Sequence, residues 1–244
     1  MFSLDRLSRI SELERWHFWF AGRRALVNKL LKRYLLHKTS LILDLGCGSG
    51  SMVHSLTRQG YRVVGLDYHL HGLHAVSQLL PQPWLMRGEA THVPLRDSTF
   101  DAILMLDVLE HVKDQKALAE VHRILRPGGL AIVTVPAIPW LWSYRDEAAG
   151  HLRRYTRRQA KRVLVDADFG VIEDQYYQFN LLPVLLICRL FGRRGPGLRD
   201  MEERPSPMIN AVLTWVNKLE VGLSDIIRWP LGSSLAIVCR KGET

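Results

Sequence analysis

The stretch LILDLGCGSG, residues 41–50, decides the fold. An apolar run ends in Asp44, and Gly46, Gly48 and Gly50 then alternate into a helical pattern. Because glycine permits tight turns and close approach of the backbone to a ligand, the pattern predicts a strand, a ligand-facing loop and a helix. It lacks the glycine spacing of the dinucleotide fingerprint and the lysine of a phosphate-binding loop. A plain turn is the alternative interpretation.

Short apolar runs alternate with helical patterns beyond this stretch. One helical pattern, residues 113–125, has Leu118, Val121 and Leu125 on one face. Nearly all-apolar strands alternating with helices predict an α/β fold with a parallel sheet covered on both faces. The predicted strands are 41–45, 61–67, 83–88, 100–106, 130–136, 169–179 and 233–240.

The chain reads as one domain with a helical N-terminal extension. Residues 1–40 are basic and helical in pattern, and residues 41–244 form the α/β domain. Inserts are predicted at about residues 137–156 and 180–232. Within the second insert, Ser206 followed by Pro207 predicts the start of a helix.

Composition bounds the class of protein without naming a partner. The 244 residues are 47% hydrophobic and 23% charged, as in ordinary globular domains, and the formal net charge is +9. Such a surplus favours acidic partners. The three cysteines form no disulfide or zinc spacing, and residues 1–15 lack the apolar run of a signal peptide, so we expect a cytoplasmic protein.

Asp67 ends the second predicted strand, 23 residues after Asp44. A carboxylate at that place accepts hydrogen bonds from a ribose diol in nucleotide-binding α/β folds. The alternative is an ordinary helix-capping or turn acid. Together with the glycine loop, Asp67 favours a nucleoside-containing cofactor.

Four stretches, in order and spacing, resemble the class I S-adenosylmethionine-dependent methyltransferases of the small-molecule, type 11 kind. They are LDLGCGSG, VVGLD, GEATHVPLRDSTFDAILMLDVLEHVKD and LRPGGLAIVTVP, within residues 41–136. The resemblance implies a three-layer, doubly wound, Rossmann-like sheet that is mostly parallel and has a final antiparallel strand. It also implies S-adenosyl-L-methionine as cofactor and S-adenosyl-L-homocysteine as product.

The resemblance also assigns residues to the cofactor. The glycine loop would lie under its methionine part, Asp67 would hold the ribose, and Glu89 would meet the adenine, where the family more often has aspartate. Arg24 lies 20 residues before Asp44, a spacing similar to that of quinone-pathway O-methyltransferases, and would meet the carboxylate; a surface arginine is the alternative. The implied cofactor residues are Arg24, Asp44, Gly46, Cys47, Gly48, Asp67, Tyr68, Glu89, Ala90, Asp107 and Val108.

A general base is needed only when the methyl acceptor must lose a proton, and histidine suits that task near neutral pH. His111 follows the fourth strand and His151 lies in the first insert, so both are candidate bases. Ordinary structural or surface histidines are the alternative. The cluster of His69, His71 and His74 lacks an acid or cysteine that would complete a metal site, so no metal is expected.

The basic stretch GHLRRYTRRQAKR, residues 150–162, divides at Thr156. Thr156 and Gln159 form a capping box, which predicts a helix whose basic residues face water. The residues before it, Arg153, Arg154 and Tyr155, belong to the insert and are candidate contacts for an anionic group of the acceptor.

The sequence therefore favours methyl transfer to a small or lipid-linked, acidic acceptor, with oxygen preferred. Two alternatives are a non-catalytic cofactor-binding or membrane-surface adaptor and a nucleic-acid methyltransferase. Nucleic acid is disfavoured because LDVLEH replaces the Asn/Asp-Pro-Pro-aromatic motif after the fourth strand. The apolar, arginine-bearing residues 181–194 suit either a core or dimer helix or peripheral membrane contact. The oligomeric state is not predicted.

Overall fold

In a computed structural model, residues 12–35, 37–80, 83–191 and 204–243 are described. They form a seven-stranded sheet with the order β3-β2-β1-β4-β5-β7-β6. Only β7 runs antiparallel to its neighbours β5 and β6. The predicted mostly parallel sheet with a final antiparallel strand is confirmed. The strands are β1 (Leu41–Leu45), β2 (Arg62–Asp67), β3 (Trp84–Arg87), β4 (Phe100–Leu106), β5 (Leu125–Pro136), β6 (Phe169–Tyr177) and β7 (Ser234–Lys241).

Helices cover both faces of the sheet, which gives three layers. One face is buried under α1, α2 and α3, and the other under α4 and α6. Because both faces are covered, the central strands carry side chains such as Ile42, Leu104 and Ile132 that are completely buried. The helices are α1 (Phe18–Tyr34), α2 (Ser51–Arg58), α3 (Leu70–Leu79), α4 (Asp114–Ile124), α5 (Tyr144–Ala148), α6 (Arg157–Val165), α7 (Leu182–Phe191) and α8 (Pro207–Leu223).

The N-terminal helix α1 is part of the main core. Leu26, Val27, Leu30 and Leu31 are fully buried in the same apolar cluster as β1 and β4. At Gly22, a β-carbon would approach the Asn217 side chain of α8 to about 3 Å, so α1 and α8 pack closely. The N-terminal segment is thereby fixed against the sheet and carries its polar residues toward one edge.

Two predicted helix starts are confirmed in atomic detail. The Thr156 hydroxyl accepts from the Gln159 amide, and the Gln159 side chain accepts from the Thr156 backbone, which completes the capping box of α6. Ser206 caps α8, and Pro207 occupies its first turn. One prediction needed four consecutive residues and the other needed two, so neither depended on long-range contacts.

The second insert contains α7 and α8. Leu182 and Leu185 of α7 are buried, and Leu185 packs with Phe18 of α1. The first turns of α7 are therefore core, whereas Arg193 and Arg194 of the proposed membrane contact lie outside the described residues. None of the described helices combines the length and the apolar composition needed to cross a bilayer.

Candidate active site

The candidate site lies at the edge where the parallel strands β1, β2 and β4 end. Register pairs Leu45 with Leu66 and Met105, so the chain leaves all three strands side by side. In parallel α/β sheets this carboxyl edge is where ligands bind. The residues that follow each strand are therefore neighbours.

The glycine loop after β1 adopts a conformation that favours glycine at three positions. Gly46, Gly48 and Gly50 have φ angles of +80°, +53° and +74°. A β-carbon on Gly46 would come within 2.4 Å of the Val108 side chain. The glycines thus allow the loop to fit against the segment after β4.

Asp67 links the loop to the end of β2. One of its carboxylate oxygens accepts from the Gly48 backbone at 2.9 Å, and the other from the His69 backbone at 2.7 Å. Gly88 donates to the Asp67 carbonyl, which brings the turn after β3 to the same place. The Asp67 carboxylate thus stabilises the backbone turns around it, and Asp67 is also the predicted ribose ligand.

Asp44 is buried at the base of the loop. Its Oδ2 atom has no hydrogen-bond partner among the described residues. Burial raises the pKa of Asp44 to about 7, and the nearby Arg23 guanidinium only partly opposes this effect. A carboxylate with an unfilled hydrogen-bonding oxygen suits a ligand that brings a cationic donor.

Arg23, the neighbour of the predicted Arg24, faces the site. It donates to the Asp107 carboxylate at 2.7 Å and to the Leu106 carbonyl at 3.3 Å. Arg24 instead donates to Ser51 Oγ at 2.9 Å and to the Glu14 carbonyl. Consecutive helical residues differ in direction by about 100°, so sequence spacing did not distinguish the two arginines.

Asp107 holds a backbone conformation that non-glycine residues rarely adopt, with φ +57°. Thr134 Oγ1 donates to its carboxylate at 2.8 Å, and the Asp107 amide donates to the Thr134 carbonyl. With Arg23, these contacts fix Asp107 where β4 ends. Such locally costly conformations concentrate at ligand-binding sites, which agrees with its predicted role.

Glu14 is a member of this site that the sequence reading missed. Its carboxylate accepts from the Ser49 backbone at 3.1 Å and from the Ser49 hydroxyl, and lies 3.9 Å from Arg23. Burial raises the pKa of Glu14, although Arg23 and Ser49 oppose that rise. No motif surrounds Glu14, so only the fold brings it to the glycine loop.

The other predicted cofactor residues border the same edge with different degrees of exposure. The Cys47 side chain is buried in the core, and this burial raises the pKa of its thiol. Cys47 therefore contributes its backbone, rather than its side chain, to the glycine loop. Tyr68 is half exposed. Glu89 accepts from Thr91 at 2.7 Å, and Ala90 packs partly against the core.

The two candidate bases, His111 and His151, lie together. Their ring centroids are 4.8 Å apart at 75°. His151 Nδ1 lies 2.9 Å from the Asp146 carboxylate, and His111 Nδ1 lies 3.4 Å from the Gly150 carbonyl. The first insert therefore folds over the segment that follows β4, as the sequence suggested.

Each of the three predicted acceptor contacts already has a partner within the protein. Arg154 is nearly buried, with Nε 2.7 Å from Asp146. Tyr155 is buried in the core beneath the insert, and its hydroxyl lies 3.3 Å from Asp114. Arg153 is about one third exposed and pairs with Asp114 at 2.7 Å. Arg153 is thus the one of these three whose side chain remains substantially accessible to solvent.

Comparisons with known proteins agree with this geometry. A family model described as a methyltransferase domain matches residues 43–133. An uncharacterised methyltransferase of Mycobacterium tuberculosis is 35% identical over 112 residues, which are 46% of this chain and 43% of that protein. This chain thus spans less than half the length of that relative.

A longer match comes from Mycolicibacterium smegmatis. Its probable S-adenosylmethionine-dependent methyltransferase is 30% identical over 191 residues, covering 77% of this chain and 67% of that protein. A methyltransferase of Haloferax volcanii, solved in complex with a methyltransferase activator, superimposes with a TM-score of 0.67 at 17% identity. That match covers 96% of this chain and 94% of the other, and it shows a shared fold.

Proposed function

Because the chain belongs to the class I S-adenosylmethionine-dependent methyltransferases, we propose that it methylates a small or lipid-linked, acidic acceptor at oxygen. The observation that carries the methyl-donor part of the proposal is the convergence of the glycine loop, Asp67 and Asp107 at one edge of the sheet. When bound, S-adenosylmethionine supplies the methyl group as a sulfonium.

The chain's residues fit the parts of this cofactor. Asp67, at the end of β2, suits the ribose hydroxyls, and its position is fixed by two backbone donors. Asp44 and Glu14 are buried acids that suit the ammonium group, and Arg23 suits the carboxylate. The arrangement thus offers complementary charge to both ends of an amino acid.

The protein's contribution to the reaction is mainly positioning. Methyl transfer from a good leaving group depends on alignment of the reacting atoms. Asp107 and the glycine loop are held rigidly by Arg23, Thr134 and Val108. The insert packs against the segment after β4 through the backbone hydrogen bond from the Leu152 amide to the Glu110 carbonyl, and a cover in this place would limit the access of water to the reacting groups.

The acceptor part of the proposal rests on fewer contacts. Arg153 remains partly exposed, and the net charge of +9 favours an anionic partner. Arg154 pairs with Asp146 inside the insert, and Tyr155 joins the insert to Asp114 of α4. His111 and His151 as bases, the use of Arg24, and peripheral membrane contact through residues 181–194 stay predictions.

A labelled-methyl screen against soluble and lipid extracts tests the proposal. The wild-type protein is incubated with methyl-labelled S-adenosylmethionine, and Asp67→Ala serves as the matched inactive variant. Label in a small acidic or lipid fraction with the wild type alone supports the proposal. Cofactor binding without any labelled product would favour a non-catalytic cofactor-binding protein. Label in nucleic acid would favour a nucleic-acid methyltransferase.

A further inference from the structure

Three side chains, from the segment after β4 and from the first insert, form a compact group. Glu110, His111 and His151 each offer one ligand atom, and these atoms all lie within 4.8 Å of one another. We propose that they hold a divalent transition-metal ion, with Zn²⁺ the best match to two imidazoles and one carboxylate. The ion's part in methyl transfer rests on the proposed function, whereas its binding does not.

Glu110 is the first support for the site. Its side chain is 1% exposed, and Oε2 has no hydrogen-bond partner among the described residues. Its other oxygen lies 3.9 Å from His151 Nε2. A buried carboxylate with an unsatisfied oxygen is costly, and a cation at this position would remove that cost.

The surroundings of His151 are the second support. Its Nδ1 donates to Asp146 at 2.9 Å, so Nε2 points toward Glu110. Asp146 is itself fixed by Arg154 Nε at 2.7 Å and by the Ser143 backbone at 2.9 Å. A histidine that donates its second ring nitrogen to a fixed carboxylate is typical of metal sites, where that bond orients the ring.

The distances require a small contraction. Even if all three separations equalled the limit of 4.8 Å, an ion equidistant from the three atoms would lie roughly 2.8 Å from each, so bonds of about 2.0–2.2 Å need each ligand to move by roughly 0.7 Å at most. His111 and His151 are both partly exposed, so their side chains have room for such a movement.

Three protein ligands leave an open coordination position, the arrangement of catalytic zinc sites. An ion there would lower the pKa of an acceptor hydroxyl, whose proton would leave to water. This chemistry favours oxygen as the methylated atom and assigns Glu110 a use that the sequence did not suggest. The proposal departs from the expectation that the protein has no metal site, and it makes His111 and His151 ligands rather than the predicted bases.

Cobalt titration of the full chain tests the site directly. After chelator treatment, Co²⁺ binding is followed by visible absorption and calorimetry, and one ion per chain is expected. Glu110→Gln and His151→Ala should each weaken binding at least tenfold, and Asp146→Asn by roughly 10–100-fold. His74→Ala, at an exposed position of α3, is the matched control and should change nothing.

A wild-type measurement covers the case in which a variant fails to fold. Zn²⁺ should protect His111 and His151, but not His74, from diethyl pyrocarbonate, with the modified sites identified by mass spectrometry. The proposal is overturned if the wild type binds no Co²⁺ at about 100 µM, a concentration well above the dissociation constants of built sites. It is also overturned if folded Glu110→Gln and His151→Ala bind normally, or if the protected histidines lie elsewhere.

Calorimetry with S-adenosylhomocysteine separates this inference from the proposed function. Product binding without Co²⁺ binding would overturn the metal site alone. Co²⁺ binding without product binding would overturn the methyltransferase proposal alone.

Discussion

The proposed cofactor half and the proposed acceptor half of the site share one sheet edge but are assembled in different ways. The cofactor half is built mainly from the β1–α2 turn and from Asp67, one strand further along. The acceptor half joins the segment after β4 to an insert that begins beyond β5. A site built from one segment of the chain is visible in the sequence as a motif. A site built from segments that lie far apart in the chain is visible only as scattered residues.

Arg23→Ala tests the link between the two halves and should have the largest effect. Its removal leaves the partly buried Asp107 and Glu14 without their cationic neighbour, at a cost of roughly 3–5 kcal/mol in the free energy of unfolding. Arg24→Ala is the matched control, and we expect about 1 kcal/mol or less because its hydrogen bonds are replaceable by water. Urea denaturation measures both, and equal losses would contradict the assignment of Arg23 to the site.

Asp44→Asn tests the buried acid of the cofactor half. The folded pKa of about 7 lies above the unfolded pKa near 3.8, so the native state keeps a proton that the unfolded chain loses. The two pKa values differ by about 3, and a difference of 1 corresponds to about 1.4 kcal/mol. The free energy of unfolding should therefore fall by roughly 4 kcal/mol as pH rises from about 4 to 7.

The asparagine variant should lack this decline and exceed the wild type in stability above pH 7. Urea denaturation across the pH range checks the difference between the two proteins. If the free energy of unfolding changed with pH in the same way in both proteins, Asp44 would not hold a proton in the native state.

Asp67→Ala should abolish much of the cofactor affinity. Two hydrogen bonds to a charged group, each worth about 1.5–3 kcal/mol, correspond to a loss of about 100-fold or more. Asp97→Ala is the control, because that carboxylate is mostly exposed and pairs with Arg123 away from the loop. Calorimetry with S-adenosylhomocysteine measures both, and a change below about threefold for Asp67→Ala would count against its ribose role.

Gly72→Ala tests how tightly the glycine loop is packed. A β-carbon there would lie 2.3 Å from the Gly48 carbonyl oxygen, which belongs to the backbone and cannot turn aside. We expect a loss of about 1–3 kcal/mol in stability together with weaker product binding. Gly222→Ala, in open space near the end of α8, should instead stabilise by up to about 1 kcal/mol. If Gly72→Ala changed neither stability nor product binding, the backbone of the glycine loop would be free to shift away from the added β-carbon.

Thr156→Ala addresses the acceptor half and has the smallest expected effect. Loss of the capping box should cost about 1 kcal/mol, and Thr156→Ser should restore most of it. Thermal unfolding gives the stability, and product affinity should stay unchanged. A large drop in product affinity would show that the two halves are coupled through α6.

The features that could be predicted from the sequence are those that one short segment specifies. The seven strands, the glycine loop and the capping box of α6 are each encoded by consecutive residues. Glu14 and Glu110 had no such signal, because their partners Ser49 and His151 lie far along the chain. Arg153, Arg154 and Tyr155 looked alike in sequence, yet long-range packing buries two of them and leaves Arg153 accessible.

Hydrogen exchange with and without S-adenosylhomocysteine locates the bound ligand on the wild-type chain. If the cofactor lies at the carboxyl edge of β1, β2 and β4, we expect slower exchange at the amides of Gly48 and Ser49 in the glycine loop, and at those of His69 and Val108, which follow β2 and β4. The far edge formed by β6 should exchange as before. Protection confined to β6 or the insert, or no protection at saturating ligand, would contradict this placement of the cofactor.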